Sequence, residues 1–472
     1  MKLTTNFDDS LHEACGVFGI FSKKTIDLTS LIYYGLFSLQ HRGQEGSGIV
    51  VTNGKLTEQY KDLGSTGEVF NKEILADLQR IKPKIGIGHV RYSTSGSKGV
   101  ENVQPLMTST RIGLIATAHN GNLTNSAKIR QALENGGANF YTSVDSESLL
   151  KLISKHLKNC NLINAIKKTI LQVKGSFSLL IMTNSQLIGV KDPYGIRPLC
   201  LGQLPDGGYV LSSESCALDG VGAKFVRDIK NGEMVVISDK GIKSIMYAPR
   251  TKPHTCIFEY VYFARPDSTI NGINCYLSRL EQGRQLYNEH PLKADMVIAA
   301  PDSGVHAGQG YAQASQIPFG VGFIKNRYIA RTFIKPTQEL RERSVYIKLN
   351  PLKINVQGKD LILVDDSIVR GTTSYYLVKA LKNAGAKKVY LLSASPMIKH
   401  PCFLGIDTPT REHLLAAKYN LVQMRKSIGC DYLGFLSIAG LIKACNNQNT
   451  FCTGCFNGHY PIKPPKLHKG AN

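Results

Sequence analysis

No apolar stretch in this chain is long enough to cross a bilayer. The longest runs, such as LLIM near residue 180 and LILV at 361, have the length of strands. A helical membrane span is therefore excluded. Residues 1–14, MKLTTNFDDSLHEA, contain three acidic residues and no apolar block, so the charged-then-apolar pattern of an export signal is missing and a cytoplasmic location is expected. Zinc-finger spacing, RNA-recognition signatures, internal repeats and low-complexity tracts are also missing. Acidic residues are scarce, 35 against 57 lysines and arginines, for a formal charge of +22. The basic residues are scattered rather than gathered in a stripe, which argues against a nucleic-acid or membrane-surface partner and for anionic substrates.

Cysteine is not scarce. Eleven occur, but only Cys452 and Cys455 have C-x-x-C spacing, and without an export signal they point to thiols or metal ligands rather than to a disulfide framework. With 472 residues and 42% apolar content, the chain can build two or three domains with real cores.

From Cys15 to about residue 248 the pattern is short strand-like runs broken by glycine: CGVFGIF, GSGIVVT, IGIGHV, RIGLIATA, FSLLIM, GYVLSS and EMVVIS. Helical periodicity marks SESLLKLISKHLKN and LINAIKKTILQV. The expected front domain is two sheets between helix layers. After about residue 270 strands alternate with helices: YLSRLEQGRQLYN, DMVIAAP, LILVD, SYYLVKALKNAGA and KVYLLSASP. That rhythm implies a parallel sheet with crossover helices, and MYAPRTKPHT is the natural boundary. The basic, proline-punctuated end PIKPPKLHKGAN reads as irregular and solvated.

The strongest local motif is LILVDDSIVRGTTS, residues 361–374. A buried strand ends in Asp365 and Asp366, and a helix starts near Thr373, so loop amides and helix N-terminus form an anion nest. Ser367, Thr372 and Thr373 add hydroxyl donors, and Gly371 lets the backbone approach an oxyanion. Two carboxylates would repel a bare phosphate. They suit a sugar phosphate whose hydroxyls donate to them and whose phosphates share a divalent ion with them.

The stretch resembles the binding loop of the phosphoribosyltransferases, which hold phosphoribosyl pyrophosphate (PRPP). The resemblance implies that Arg370 also belongs to the loop, that APDSG at 300–304 is the pyrophosphate-side loop, and that Ser303 joins Asp365 and Asp366 around Mg2+. It also implies that the basic run carrying Lys325, Arg327, Arg331, Lys335, Arg341 and Arg343 is the loop that closes over PRPP. Ala330 stands where that family usually has glycine.

In the front half, CGVFGI at 15, QHRGQEGSGI at 40, GHVRYST at 88, HNGNL at 119 and TSVDSES at 142 jointly resemble the N-terminal-nucleophile glutamine amidotransferases. A cysteine thiolate can attack a side-chain amide, and a free α-amine is a base of suitable pKa, whereas a peptide nitrogen is not. Cys15 is then the nucleophile only after residues 1–14 are removed. The resemblance implies Asn120 and Gly121 as the oxyanion hole, Arg91 and Thr94 as the clamp on the glutamine α-carboxylate, and Asp145 as partner of its α-ammonium.

Together the halves resemble the iron-sulfur type of the amidophosphoribosyltransferase family, with KDPYGIRPL and FARPDSTINGINCYLSR as further matches. The implied architecture, α/β and α+β, is an αββα N-terminal-nucleophile glutaminase domain (15–250) after a self-cleaved propeptide (1–14), then a type I phosphoribosyltransferase domain with a parallel sheet (251–472). The implied reaction is transfer of glutamine-derived ammonia to PRPP, the committed step of purine synthesis. The family further implies a 4Fe-4S cluster on Cys256, Cys402, Cys452 and Cys455, tetrahedral zinc being the second choice, together with purine nucleotides as feedback inhibitors and a homo-tetramer. Cys160, Cys200, Cys216, Cys275, Cys430 and Cys445 are expected in the core. Two rivals remain: another glutamine amidotransferase, and a PRPP-binding regulator without catalysis. PRPP-dependent release of ammonia from glutamine separates them.

Overall fold

The computed structural model describes residues 12–13, 15–92, 99–249, 251–326, 349–408, 410–446 and 450–465. Two antiparallel sheets fill the front half. The first runs in the order Lys224–Asp228, Cys200–Gln203, Tyr209–Ser212, Gly16–Phe21, Ile85–Arg91, Gly46–Thr52, Thr57–Leu63. The second runs Gly241–Met246, Glu233–Ser238, Leu187–Lys191, Gly175–Thr183, Gly113–Leu123, Leu106–Thr110.

The period-two alternation of strands explains the layering. In Gly16–Phe21, Val17 and Phe21 face the second sheet, in a core shared with Ala116, Ala118, Leu180 and Val235. Phe18 and Ile20 face the other way, onto Leu28, Ile32 and Leu36 of helix Leu28–Ser38. The outer face of the second sheet, through Ile115, Leu179 and Ile181, is covered by helices Asp145–Leu157 and Leu162–Gln172. The result is the expected αββα sandwich.

The rear half holds a four-stranded parallel sheet in the order Met296–Ala299, Asp360–Asp365, Lys388–Ser393, Tyr432–Phe435. Its strands are near-continuous apolar runs because both faces are buried. Ile362, Val364 and Leu392 pack with Leu286 and Tyr311 on one side, and Leu361, Leu363 and Leu391 pack with Leu377 and Leu381 on the other. Two short pairings join distant segments. Thr255–Cys256 lies parallel to Phe451–Cys452, and His12–Glu13 runs antiparallel to Ile406–Asp407. Ile196 of the front half packs in the rear core, so the halves share an apolar contact. Among the described residues no helix is long and apolar enough to cross a membrane.

Candidate active site

Cys15 immediately precedes strand Gly16–Phe21, in the middle of the first sheet. Gly16 pairs with Val90, so the cysteine is carried to the end of strand Ile85–Arg91, where its Sγ lies 3.8 Å from the carbonyl oxygen of Tyr92. Arg91, buried at that strand end, is therefore a near neighbour of strand Gly16–Phe21. Thr94 lies outside the described residues.

Asn120 and Gly121 belong to strand Gly113–Leu123 of the second sheet. His89 ties the two sheets together here, its Nε2 lying 3.2 Å from the carbonyl oxygen of His119. The Asn120 side chain is fully buried, and neither its Oδ1 nor its Nδ2 has a hydrogen-bond partner among the described residues. Buried amides are nearly always bonded, so this carboxamide keeps donor and acceptor capacity that a ligand could use. Gly121 has φ of 148°, and a methyl there would stand 2.1 Å from the carbonyl oxygen of Ser176. No other residue fits.

Asp145 begins helix Asp145–Leu157 and accepts the Leu123 amide at 2.8 Å, while its Oδ1 lies 3.4 Å from His119 Nδ1. Burial opposes its charge, but the nearby His119 and these hydrogen bonds prevail and hold the carboxyl below its ordinary range. The sequence reading missed His119, Gln104 and His89. Gln104 accepts the His119 amide at 2.8 Å and so anchors the strand one residue before Asn120. The two histidines stand beside the assigned residues in HNGNL and GHVRYST, which was the available signal.

In the rear half, Asp365 ends a buried strand and accepts the Asp366 amide at 3.0 Å. Asp366 accepts Ser303 Oγ at 2.5 Å and Ser367 Oγ at 2.8 Å, so the loop of APDSG meets the loop of VDDSIVRGTTS, as expected. Helix Thr372–Asn383 starts one residue earlier than expected, with Gly371 as its cap and Arg370 just before it. Thr372 is buried in the first turn beside Thr373. Lys325, at the end of strand Phe323–Lys325, is ion-paired with Asp302 of the APDSG loop. Arg327, Ala330, Arg331, Lys335, Arg341 and Arg343 lie outside the described residues.

Of the four cysteines assigned to a cluster, Cys256 and Cys452 are register partners, Cys455 is the second residue of the short helix Gly454–Asn457, and Cys402 accepts the Leu404 amide on its sulfur at 3.3 Å. Burial pushes the Cys452 thiol up to about 12, with Cys402 adding to the rise, and raises Cys256 and Cys455 well above the ordinary thiol value, again helped by the neighbouring sulfurs. Among the described residues no three His, Cys, Asp or Glu side chains stand in metal-holding geometry. By chemistry the donor set is of the type a thiolate-bound group would need: four cysteines from three segments, two of them register partners, with an amide donated to the sulfur of a third. Of the other six cysteines, Cys200, Cys216, Cys275, Cys430 and Cys445 are buried as expected. Cys160 is half-exposed.

The glutamine amidotransferase domain family matches residues 89–220. Over its whole length the chain is similar to named enzymes. It is 46% identical to the amidophosphoribosyltransferase of Bacillus subtilis, covering 96% of this chain and 95% of that one. Identity to the amidophosphoribosyltransferase of Methanocaldococcus jannaschii is also 46%, over 95% and 98%. Among solved structures, the glutamine PRPP amidotransferase of B. subtilis complexed with ADP and GMP superposes with a TM-score of 0.90 at 45% identity, covering 96% of this chain and 98% of that one. With 46% identity over nearly the whole of both chains, the chain belongs to the amidophosphoribosyltransferase family.

Proposed function

We propose that the chain makes 5-phosphoribosylamine in two coupled steps, the first with Cys15 as nucleophile and the second at the Asp365–Thr373 loop. The observation that carries this reading is one chain holding a buried, unbonded carboxamide at Asn120 in its front half and the Ser303–Asp366–Ser367 array at a helix N-terminus in its rear half.

In the front half, removal of residues 1–14 frees the Cys15 α-amine. In the uncut chain Cys15 has φ of 74°, a left-handed backbone costing a non-glycine residue about 1–2 kcal/mol, and cutting the preceding peptide relieves it. The α-amine takes the thiol proton as Sγ attacks the glutamine side-chain carbonyl carbon. The resulting oxyanion accepts hydrogen bonds from Asn120 Nδ2 and the Gly121 amide. Collapse breaks the C–N bond, the proton returns to the leaving nitrogen, and ammonia departs from a thioester that water then hydrolyses to glutamate. Arg91 and Thr94 hold the α-carboxylate and Asp145 the α-ammonium.

In the rear half, the amides and hydroxyls of Ser367, Arg370, Gly371, Thr372 and Thr373 hold the 5-phosphate, while Asp365 and Asp366 accept from the ribose hydroxyls. Lys325, Arg327 and Arg331 are assigned to PRPP binding as counter-charges to its phosphates. Ser303, Asp365 and Asp366 are the residues suited to Mg2+, which when bound offsets the charge of the departing pyrophosphate. Ammonia displaces pyrophosphate at C1, and the new ammonium loses a proton. Because protonated ammonia is not a nucleophile, it must pass between the sites without meeting bulk water.

Cys256, Cys402, Cys452 and Cys455 would hold a 4Fe-4S cluster that pins the C-terminal segment to the domain junction. Purine nucleotides are proposed as inhibitors, in keeping with the ADP and GMP of the B. subtilis structure, and the assembly is proposed to be a homo-tetramer.

Intact-mass analysis together with two donors tests the reading. Active enzyme should begin at Cys15, and Cys15→Ala should lose phosphoribosylamine synthesis from glutamine while retaining it from ammonia. Full activity in protein that keeps Met1 would refute it.

A further inference from the structure

We propose that Glu259, contributed by the rear half, is a positioning residue of the glutamine site: its one carboxylate holds the two arginines that brace the nucleophile strand and the oxyanion strand. Glu259 opens the π-helix Glu259–Phe263 and is completely buried. Its Oε2 accepts Arg42 Nη2 at 2.7 Å and its Oε1 accepts Arg197 Nη1 at 3.3 Å, with all three side chains withdrawn from solvent.

Each arginine leans on one side of the chemistry. Arg42 also ion-pairs with Glu214, and its Cδ lies 3.3 Å from the point where a side chain on Gly16 would begin, directly beside Cys15. Arg197 donates through Nε and Nη2 to the Leu404 carbonyl at 3.2 and 2.9 Å. The next residue, Gly405, is seated on Gly121: the position of a Gly405 methyl is 3.1 Å from the Gly121 Cα and carbonyl carbon, and 3.2 Å from Arg197 Nη2. Asn122 and Ser176 extend the seat by donating to the Phe403 and Leu404 carbonyls at 2.9 and 2.8 Å.

The π-helix is held along its length by a third arginine. Arg279, on helix Cys275–Glu289, donates to the carbonyls of Tyr260, Tyr262 and Ala264 at 3.0, 3.0 and 2.6 Å. Single π-turns are rare and concentrate at functional sites. Here the turn is fastened at its start to the brace of the glutamine site and along its length to Arg279. A carboxylate shared by two buried guanidiniums fixes both, and its loss leaves the pair with one buried negative charge fewer, Glu214 remaining on Arg42.

The inference rests on reading Cys15, Asn120 and Gly121 as the glutamine site. It is tested with Glu259→Gln in the full chain, measuring glutamate release from glutamine and phosphoribosylamine formation from ammonia. Loosened alignment of nucleophile and oxyanion hole should lower kcat for glutamate release by about 10- to 100-fold, with the KM for glutamine within about 3-fold and the ammonia-dependent rate within about 2-fold. Glu259→Asp, which keeps the charge but shortens the reach, should fall between wild type and Glu259→Gln, and it serves as the test if the neutral variant does not fold. A parallel loss of both activities, or unchanged glutamate release in the folded variants, overturns the proposal. Cys15→Ala separates the two levels: if it still releases glutamate, the underlying site reading fails instead.

Discussion

Asn120 illustrates how a single buried amide marks chemistry. An unbonded buried polar group costs about 1–3 kcal/mol, and a ligand oxyanion would recover the part that belongs to the Asn120 Nδ2 donor. Asn120→Ala is expected to lower kcat for glutamine hydrolysis by about 10²- to 10³-fold, and kinetics with ammonia as donor should be unaffected. His89 makes a second residue-level prediction. Burial drives its imidazole down to about 3, only partly opposed by the hydrogen bond to His119. A histidine whose folded pKa lies below its unfolded value lends stability that is present above about pH 6.5. That stability is lost as pH falls towards 3, because only the unfolded chain takes up the proton. Thermal melts from pH 7 to 5 should therefore show a decline that His89→Gln flattens by up to about 1.4 kcal/mol per pH unit. Both residues lie in motifs quoted from the sequence. What the sequence did not reveal is that His89 reaches across to the strand of Asn120, since that requires two sheets to be face to face.

At the scale of elements, legibility followed burial. Strands with buried apolar runs, such as Gly16–Phe21 and Glu233–Ser238, were readable, whereas the edge strands Thr57–Leu63 and Gly241–Met246 were not, because solvent-facing polar residues break up their apolar runs. HNGNL looks like turn chemistry yet lies inside strand Gly113–Leu123. Its glycine serves close approach rather than a turn. The segment Cys402–Asp407 was legible only as a cysteine in loop sequence, yet it seats Gly405 on Gly121 and pairs with His12–Glu13. Gly405→Ala should therefore push on the oxyanion strand, reducing glutamine hydrolysis by about 10-fold while ammonia-dependent synthesis persists. Comparing rates with the two donors checks this.

Across the whole molecule, the halves meet through a buried polar clamp and an apolar contact, and the cysteine quartet sits where the C-terminal segment returns to the junction. Protein purified without oxygen is expected to contain iron and sulfide. Cys452→Ser should lose the iron and melt earlier, whereas Cys445→Ser, whose sulfur contacts Ser278 Oγ at 3.4 Å, should keep it. Iron analysis beside thermal melts distinguishes the two variants.

The sequence by itself determined the two rhythms of strands and helices and marked the acidic strand-end loop LILVDDSIVRGTTS. These are local signals, because each rests on residue types a few positions apart. Cys15 and the four cysteines were instead singled out through resemblance to the amidophosphoribosyltransferase family. Only the tertiary structure decided that Glu259 joins Arg42 to Arg197 and that Gly405 rests on Gly121. Those partners are separated by 62 to 284 positions, and buried charge and close approach are properties of packed neighbours that no periodicity along the chain encodes.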